Sequence, residues 1–174
     1  MRLSRRCVAV VVGTLVMLPV AAGAVTPLKS SGKLPSNACK LLTLAQVQKV
    51  LPDAVEQEPV HDKADKEESC GWRPDLSADY LSITVRQYTG NASDAKALYG
   101  TNDPDEKVKG LGPAAAFASN DSDFTVRAVL GKLALVVKLE RENYDVGNPD
   151  DVATLKSDAT SIAKAAAKKL RRAS

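Results

Sequence analysis

The sequence predicts an α+β fold: an antiparallel β-sheet with one face covered by N- and C-terminal helices. Two observations carry that expectation. Residues 80–88, 124–130 and 133–139 alternate apolar and polar side chains with period two, so each segment offers one face to a core and one to water. Two other segments, beginning at residues 43 and 148, combine helix-capping residues with apolar positions three and four apart. Helix, strands, short helix, strands and long helix, in that order, form an α+β pattern.

The first helix has several signals at once. Thr43 is placed to cap it, Gln46 completes a capping box, and Leu42 is spaced to staple onto Val47. Leu44, Val47 and Leu51 lie along one predicted face, and Pro52 ends the run. From Pro52 to Ser69 the chain turns polar: Asp53, Glu56, Glu58, Asp62, Asp65, Glu67 and Glu68 accompany only Lys63 and Lys66. This segment is expected to be a solvated excursion. An acidic surface for a cation or basic partner is the sharper alternative, but no calcium-loop spacing is present.

Leu81, Ile83 and Val85 alternate with Ser82, Thr84 and Arg86 in the first predicted strand. A short helix is expected over residues 93–99, capped by Ser93 and ended by Gly100. Phe124, Val126, Ala128 and Leu130 form the second alternating set, and Leu133, Leu135, Val137 and Leu139 the third. Gly131-Lys132 between them suits a type II′ hairpin turn. In the last helix Asn148 caps, Pro149 fits the first turn, and Asp150 and Asp151 complement the dipole. Val152, Leu155, Ala159, Ile162, Ala166 and Leu170 make the core-facing stripe. Lys168, Lys169, Arg171 and Arg172 load its C-terminal end, where cations favour the dipole. Contact with anionic cell-envelope polymers is the functional alternative for that basic end.

Residues 1–24 have a basic start with Arg2, Arg5 and Arg6, an apolar run from Cys7 to Val20, and Ala22-Gly23-Ala24. This is the pattern of a secretory signal peptide cleaved after Ala24. Pro19 shortens the uninterrupted run below what a bilayer-spanning helix requires, and no later segment is long and apolar enough to span a membrane, so no transmembrane segment is expected after cleavage. Ser4-Arg5-Arg6-Cys7-Val8 loosely resembles a twin-arginine signal, although paired arginines also occur in general export signals. Cys7 stands at the front of the apolar run rather than at the cleavage point, so no lipid anchor is expected. Residues 25–36, small and polar with Pro and Gly, are expected to be a flexible linker, and residues 37–174 a single α+β domain. The expected location is secreted or periplasmic.

The composition narrows the chemistry. The chain has 174 residues, 44% hydrophobic and 26% charged, which is the balance of a folded domain. Three of its 24 Lys+Arg lie in the acid-free leader, and the remaining 21 balance 21 Asp+Glu, which gives no electrostatic reason to expect nucleic acid as a partner. Two cysteines remain after the leader, and export to an oxidising compartment joins Cys39 to Cys70. A ring of this size is worth up to about 3.5 kcal/mol. A redox pair would sit at Cys-x-x-Cys spacing, and zinc would need more ligands than these two cysteines and His61. Trp72 is expected as a core ring near the bridge, and His61 as a solvated imidazole.

There is no Gly-x-Ser-x-Gly elbow and no His-Glu-x-x-His helix. Gly110-Leu111-Gly112-Pro113 lacks a third phosphate-loop glycine, and Pro113 removes a backbone donor, so it is expected to be a turn. Asn91-Ala92-Ser93 fits a glycosylation sequon, a pattern short enough to arise by chance. No catalytic, cofactor-binding or metal residues are therefore assigned, and no cofactor is expected.

Cys39-Lys40-Leu41-Leu42-Thr43 before a helix, Cys70-Gly71-Trp72, and Val108-Lys109-Gly110-Leu111-Gly112-Pro113-Ala114-Ala115 before a hairpin resemble a bacterial family. Its members are small exported proteins of unknown function, many of them actinobacterial lipoproteins. The resemblance covers roughly residues 37–172 and implies envelope localisation and a compact α+β domain. It carries over no catalytic residues, and the chain departs from it in lacking the lipid-anchor cysteine. The expected function is non-enzymatic: an exported envelope module that binds a protein or small ligand. The alternatives are a small carboxylate-dependent hydrolase of envelope polymers and a structural or stress-related envelope protein.

Overall fold

In a computed structural model the described residues are 32–172, less 58, 102, 104, 105, 120–122, 143, 144 and 146. The leader, with its Ala24 junction, and residues 25–31 of the linker lie outside them. Of the remaining linker residues, Leu34 packs against the core.

The elements run in the order of a 3-10 turn (Ala38–Leu41), α1 (Leu44–Val47), β1 (Ala54–Glu56), β2 (Val60–Asp62), β3 (Glu67–Pro74), β4 (Tyr80–Gln87), α2 (Ala92–Tyr99), β5 (Ala115–Ser119), β6 (Asp123–Leu130), β7 (Leu133–Glu140) and α3 (Pro149–Arg172). The seven strands form one sheet in the order β1-β3-β4-β7-β6-β5, with β2 also paired to β3. Every pairing is antiparallel. The fold is therefore the predicted α+β architecture.

The register explains the core. Trp72, Leu81, Leu139 and Phe124 lie opposite one another in a row across four strands. Cys70, Ile83, Val137, Val126 and Phe117 make the next row. Both rows occupy the same face because side chains alternate along each strand. The Leu155, Ala159, Ile162, Ala166 and Leu170 stripe of α3 is buried, joined by Ala163 and Ala167, and the helix packs on β6 and β7. Four alanines in that stripe let the helix backbone sit close to the sheet. The 3-10 turn closes the same layer over β3 and β4 and also touches α3. Gly131 at φ +63 begins the two-residue turn that sets Leu130 opposite Leu133, with Lys132 outside the left-handed region, as a type II′ turn requires.

Several expectations change. The first helix is one turn, not the longer run to Pro52: Leu44 is 42% exposed, and Val47, Val50 and Leu51 are the buried residues. Its capping box is present as predicted, with Thr43 Oγ1 accepting from Gln46 N at 3.2 Å and Gln46 Oε1 accepting from Thr43 N at 2.9 Å. The second helix is capped by Asn91, not Ser93. Asn91 Oδ1 accepts from Ser93 N at 2.8 Å and Asp94 N at 3.0 Å, and Asp94 reaches back to Asn91 N at 3.0 Å. Asn91 has the extended backbone an N-cap requires, at φ −89 and ψ 177, whereas Ser93 already lies inside the helix.

The polar segment 52–69 is largely exposed, as a solvated excursion should be, but it also holds β1, β2 and the start of β3. Its hairpin is closed by Asp62 Oδ1 accepting from Asp65 N at 3.0 Å and by Lys66 at φ +50. No apolar alternation marks β2 because all three of its residues are exposed. His61 of β2 contacts Glu68 of β3, and beside it Arg86 of β4 pairs with Glu67 at 2.9 Å and with Asp65 in the hairpin turn at 3.4 Å.

A groove beside the C-terminal helix

Burial of one stripe of α3 dictates what the rest of the helix presents. With Ala159, Ile162, Ala163, Ala166 and Leu170 against the sheet, Lys164, Lys168 and Arg172 form a column one turn apart. Residues 159–172 contain no acid. The opposite wall comes from the N-terminal segment. Cys39–Cys70 ties that segment to β3, Leu41 is buried, and the capping box fixes Thr43 and Gln46. Between the walls lies a groove of about 510 Å³, lined chiefly by Thr43, Gln46, Lys164, Lys168, Lys169 and Arg172. The helix is tied at its end: Lys169 Nζ donates to the Lys40 carbonyl at 2.9 Å, and Arg171 to the Gly110 carbonyl at 3.4 Å.

A second, shallower concavity of about 560 Å³ flanks the other side of α3 and shares Lys164. Lys156 Nζ stands 4.7 Å over the Phe117 ring there, a cation–π contact, beside Thr160 and Ser161. A third concavity of about 340 Å³ lies at the end of α2, at Lys96 and Thr101. Among the described residues none of the three is lined by a carboxylate.

Carboxylates converge elsewhere. Asp123 and Glu140 face each other in register, and Lys138 bridges them, 3.2 Å from Asp123 and bonded to Glu140. The Glu140 hydrogen bond holds the Lys138 ammonium above the usual lysine range, against the opposing effect of burial. Burial raises the Asp158 carboxyl, and Arg141 at 3.6 Å opposes the shift. Asp123 and Glu140 thus share Lys138 while Asp158 faces Arg141, the arrangement of structural contacts.

The residues singled out in the sequence fall as follows. Cys39 and Cys70 are joined in a disulfide. Trp72 is fully buried in the same core, and its Nε1 finds no acceptor among the described residues. His61 is exposed on the hairpin, paired with Glu68. The 110–113 segment is a turn, with Gly110 and Gly112 at positive φ and Leu111 buried between them. Among the described residues no group of three or more His, Cys, Asp or Glu could hold a metal ion, and no helix is long and apolar enough to cross a membrane. The groove itself was missed. Its signal was the acid-free helical repeat of Lys164, Lys168 and Arg172, of which Lys168 and Arg172 already had an explanation in the helix dipole. Its other wall comes from residues more than a hundred positions earlier, which no local pattern connects to it.

Compared with known proteins, the chain matches no family model, no curated protein and no solved structure.

Proposed function

We propose that the chain is an exported bacterial envelope protein that acts by binding rather than catalysis, with the groove beside α3 as its binding surface. The observation that carries this reading is the groove's composition: three lysines and an arginine converge on a concave wall with no opposing acid among the described residues. Such a surface lowers the potential energy of an approaching anion and steers its encounter. The leader-like residues 1–24 and the Cys39–Cys70 bridge support export. The same reading places the chain beside the exported bacterial family that its cysteine and glycine motifs resemble.

Site-specific photo-cross-linking in the native host tests the proposal. A photoreactive side chain at Gln46, on the groove wall, is expected to capture a discrete partner or ligand. The same group at Leu76, fully exposed and away from the groove-lining residues, is expected to capture none. No product at Gln46, or the same product from both sites, would contradict the assignment.

A further inference from the structure

We propose that the groove takes a linear polyanion bearing repeated phosphate groups, an inference that rests on the binding reading above. Lys164, Lys168 and Arg172 succeed one another by four residues, a rise of about 6 Å per step on an α-helix. From Lys164 to Arg172 the row spans about 12 Å along the groove. Among the described residues no ion pair joins Lys164, Lys168 or Arg172 to a carboxylate. Among the described residues, then, no carboxylate neutralises the row. The ligand must be elongated, because one compact anion would reach only one or two members of the row.

The chemistry of the row favours phosphate. A lysine ammonium binds phosphate oxygens as a compact point charge, and the Arg172 guanidinium adds a fork that matches phosphate with two parallel hydrogen bonds. Gln46 adds a polar edge: its Oε1 is occupied by the Thr43 backbone, and its amide group is the donor it brings to the groove.

Two other occupants fit less well. A membrane surface is broad, whereas this site is concave, and of the large exposed hydrophobic residues only Leu44 adjoins the groove wall. The acidic hairpin of a second copy is the other source of negative charge. Its Asp65 and Glu67 are already paired with Arg86, and its Glu68 with His61.

The test titrates protein isolated from its own host with three probes: long-chain inorganic polyphosphate, poly-glutamate of matched charge, and vesicles of phosphatidylglycerol and phosphatidylcholine in equal parts. Polyphosphate is expected to bind, more weakly as salt rises. The K164Q/K168Q/R172Q variant is expected to lose about tenfold or more in affinity, and K63Q/K96Q/R127Q, with the same charge change elsewhere, less than about twofold. Matching circular dichroism and melting curves for the two variants exclude misfolding as the cause. Equal losses in both variants would overturn the proposal, as would poly-glutamate binding as tightly as polyphosphate. Vesicle binding that depends on the groove as strongly as polyphosphate binding would also overturn it. Absence of polyphosphate binding while the Gln46 cross-link persists would defeat the phosphate assignment and leave the binding reading standing. Loss of both would defeat both.

Discussion

The two halves of the sheet are held by different means. β4, β6 and β7 have eight residues each, pair along their full lengths, and carry continuous rows of Leu, Ile, Val and Phe, with α3 packed on β6 and β7. β1 and β2 have three residues each, and both depend on β3 for pairing. Around β3 the core is anchored by one covalent bond, Cys39–Cys70, and one large ring, Trp72. Packing is distributed in the first half, so its loss at one position is shared. In the second half few groups do the holding, so single changes there should have localised consequences. The groove is built where the halves meet: α3 belongs to the first, and its opposing wall hangs from the disulfide of the second.

Trp72→Ala should have the largest effect. Removing a fully buried indole costs about 3–5 kcal/mol, read as a lower urea midpoint. Next comes the disulfide. Replacing Cys39 and Cys70 with serine should cost up to about 3.5 kcal/mol. Amide exchange should rise first in β1, β2 and the 3-10 turn while β6 and β7 stay protected. A uniform rise across all strands would erase the proposed difference between the halves.

The smallest effect belongs to Lys138 in the first half. Its folded-state pKa is raised, so its contribution is fully present below the ordinary lysine value and fades as pH climbs through the raised one. Lys138→Met should therefore narrow its stability gap from the parent as solutions become strongly alkaline. A gap that stays constant there would show that Lys138 contributes through packing alone.

The same contrast governs what could be read from the sequence. Leu81, Ile83 and Val85 announce β4 because burial on one face imposes period two, and the same holds for β6, β7 and the α3 stripe. β3 hides its pattern. Cys70, Gly71 and Trp72 are all buried, and Tyr80 lies over Gly71 so closely that a Cβ there would fall 2.3 Å from its hydroxyl. A side chain at that position would force Tyr80, on another strand, to move, a constraint with no local signature. β5 is an alanine-rich edge strand, and β2 faces water on every residue, so neither produces alternation. The bridge and the basic end of α3 were legible, each from residue type and spacing. Their assembly into one groove was not, because it depends on the tertiary placement of Thr43 and Gln46 against the helix.

The most direct test of the groove as the binding surface is backbone amide NMR of isotope-labelled protein titrated with polyphosphate. The account predicts shifts concentrated at Thr43, Gln46 and residues 164–172, with the β2–β3 hairpin unmoved. Shifts centred on the hairpin or the open face of the sheet would contradict it.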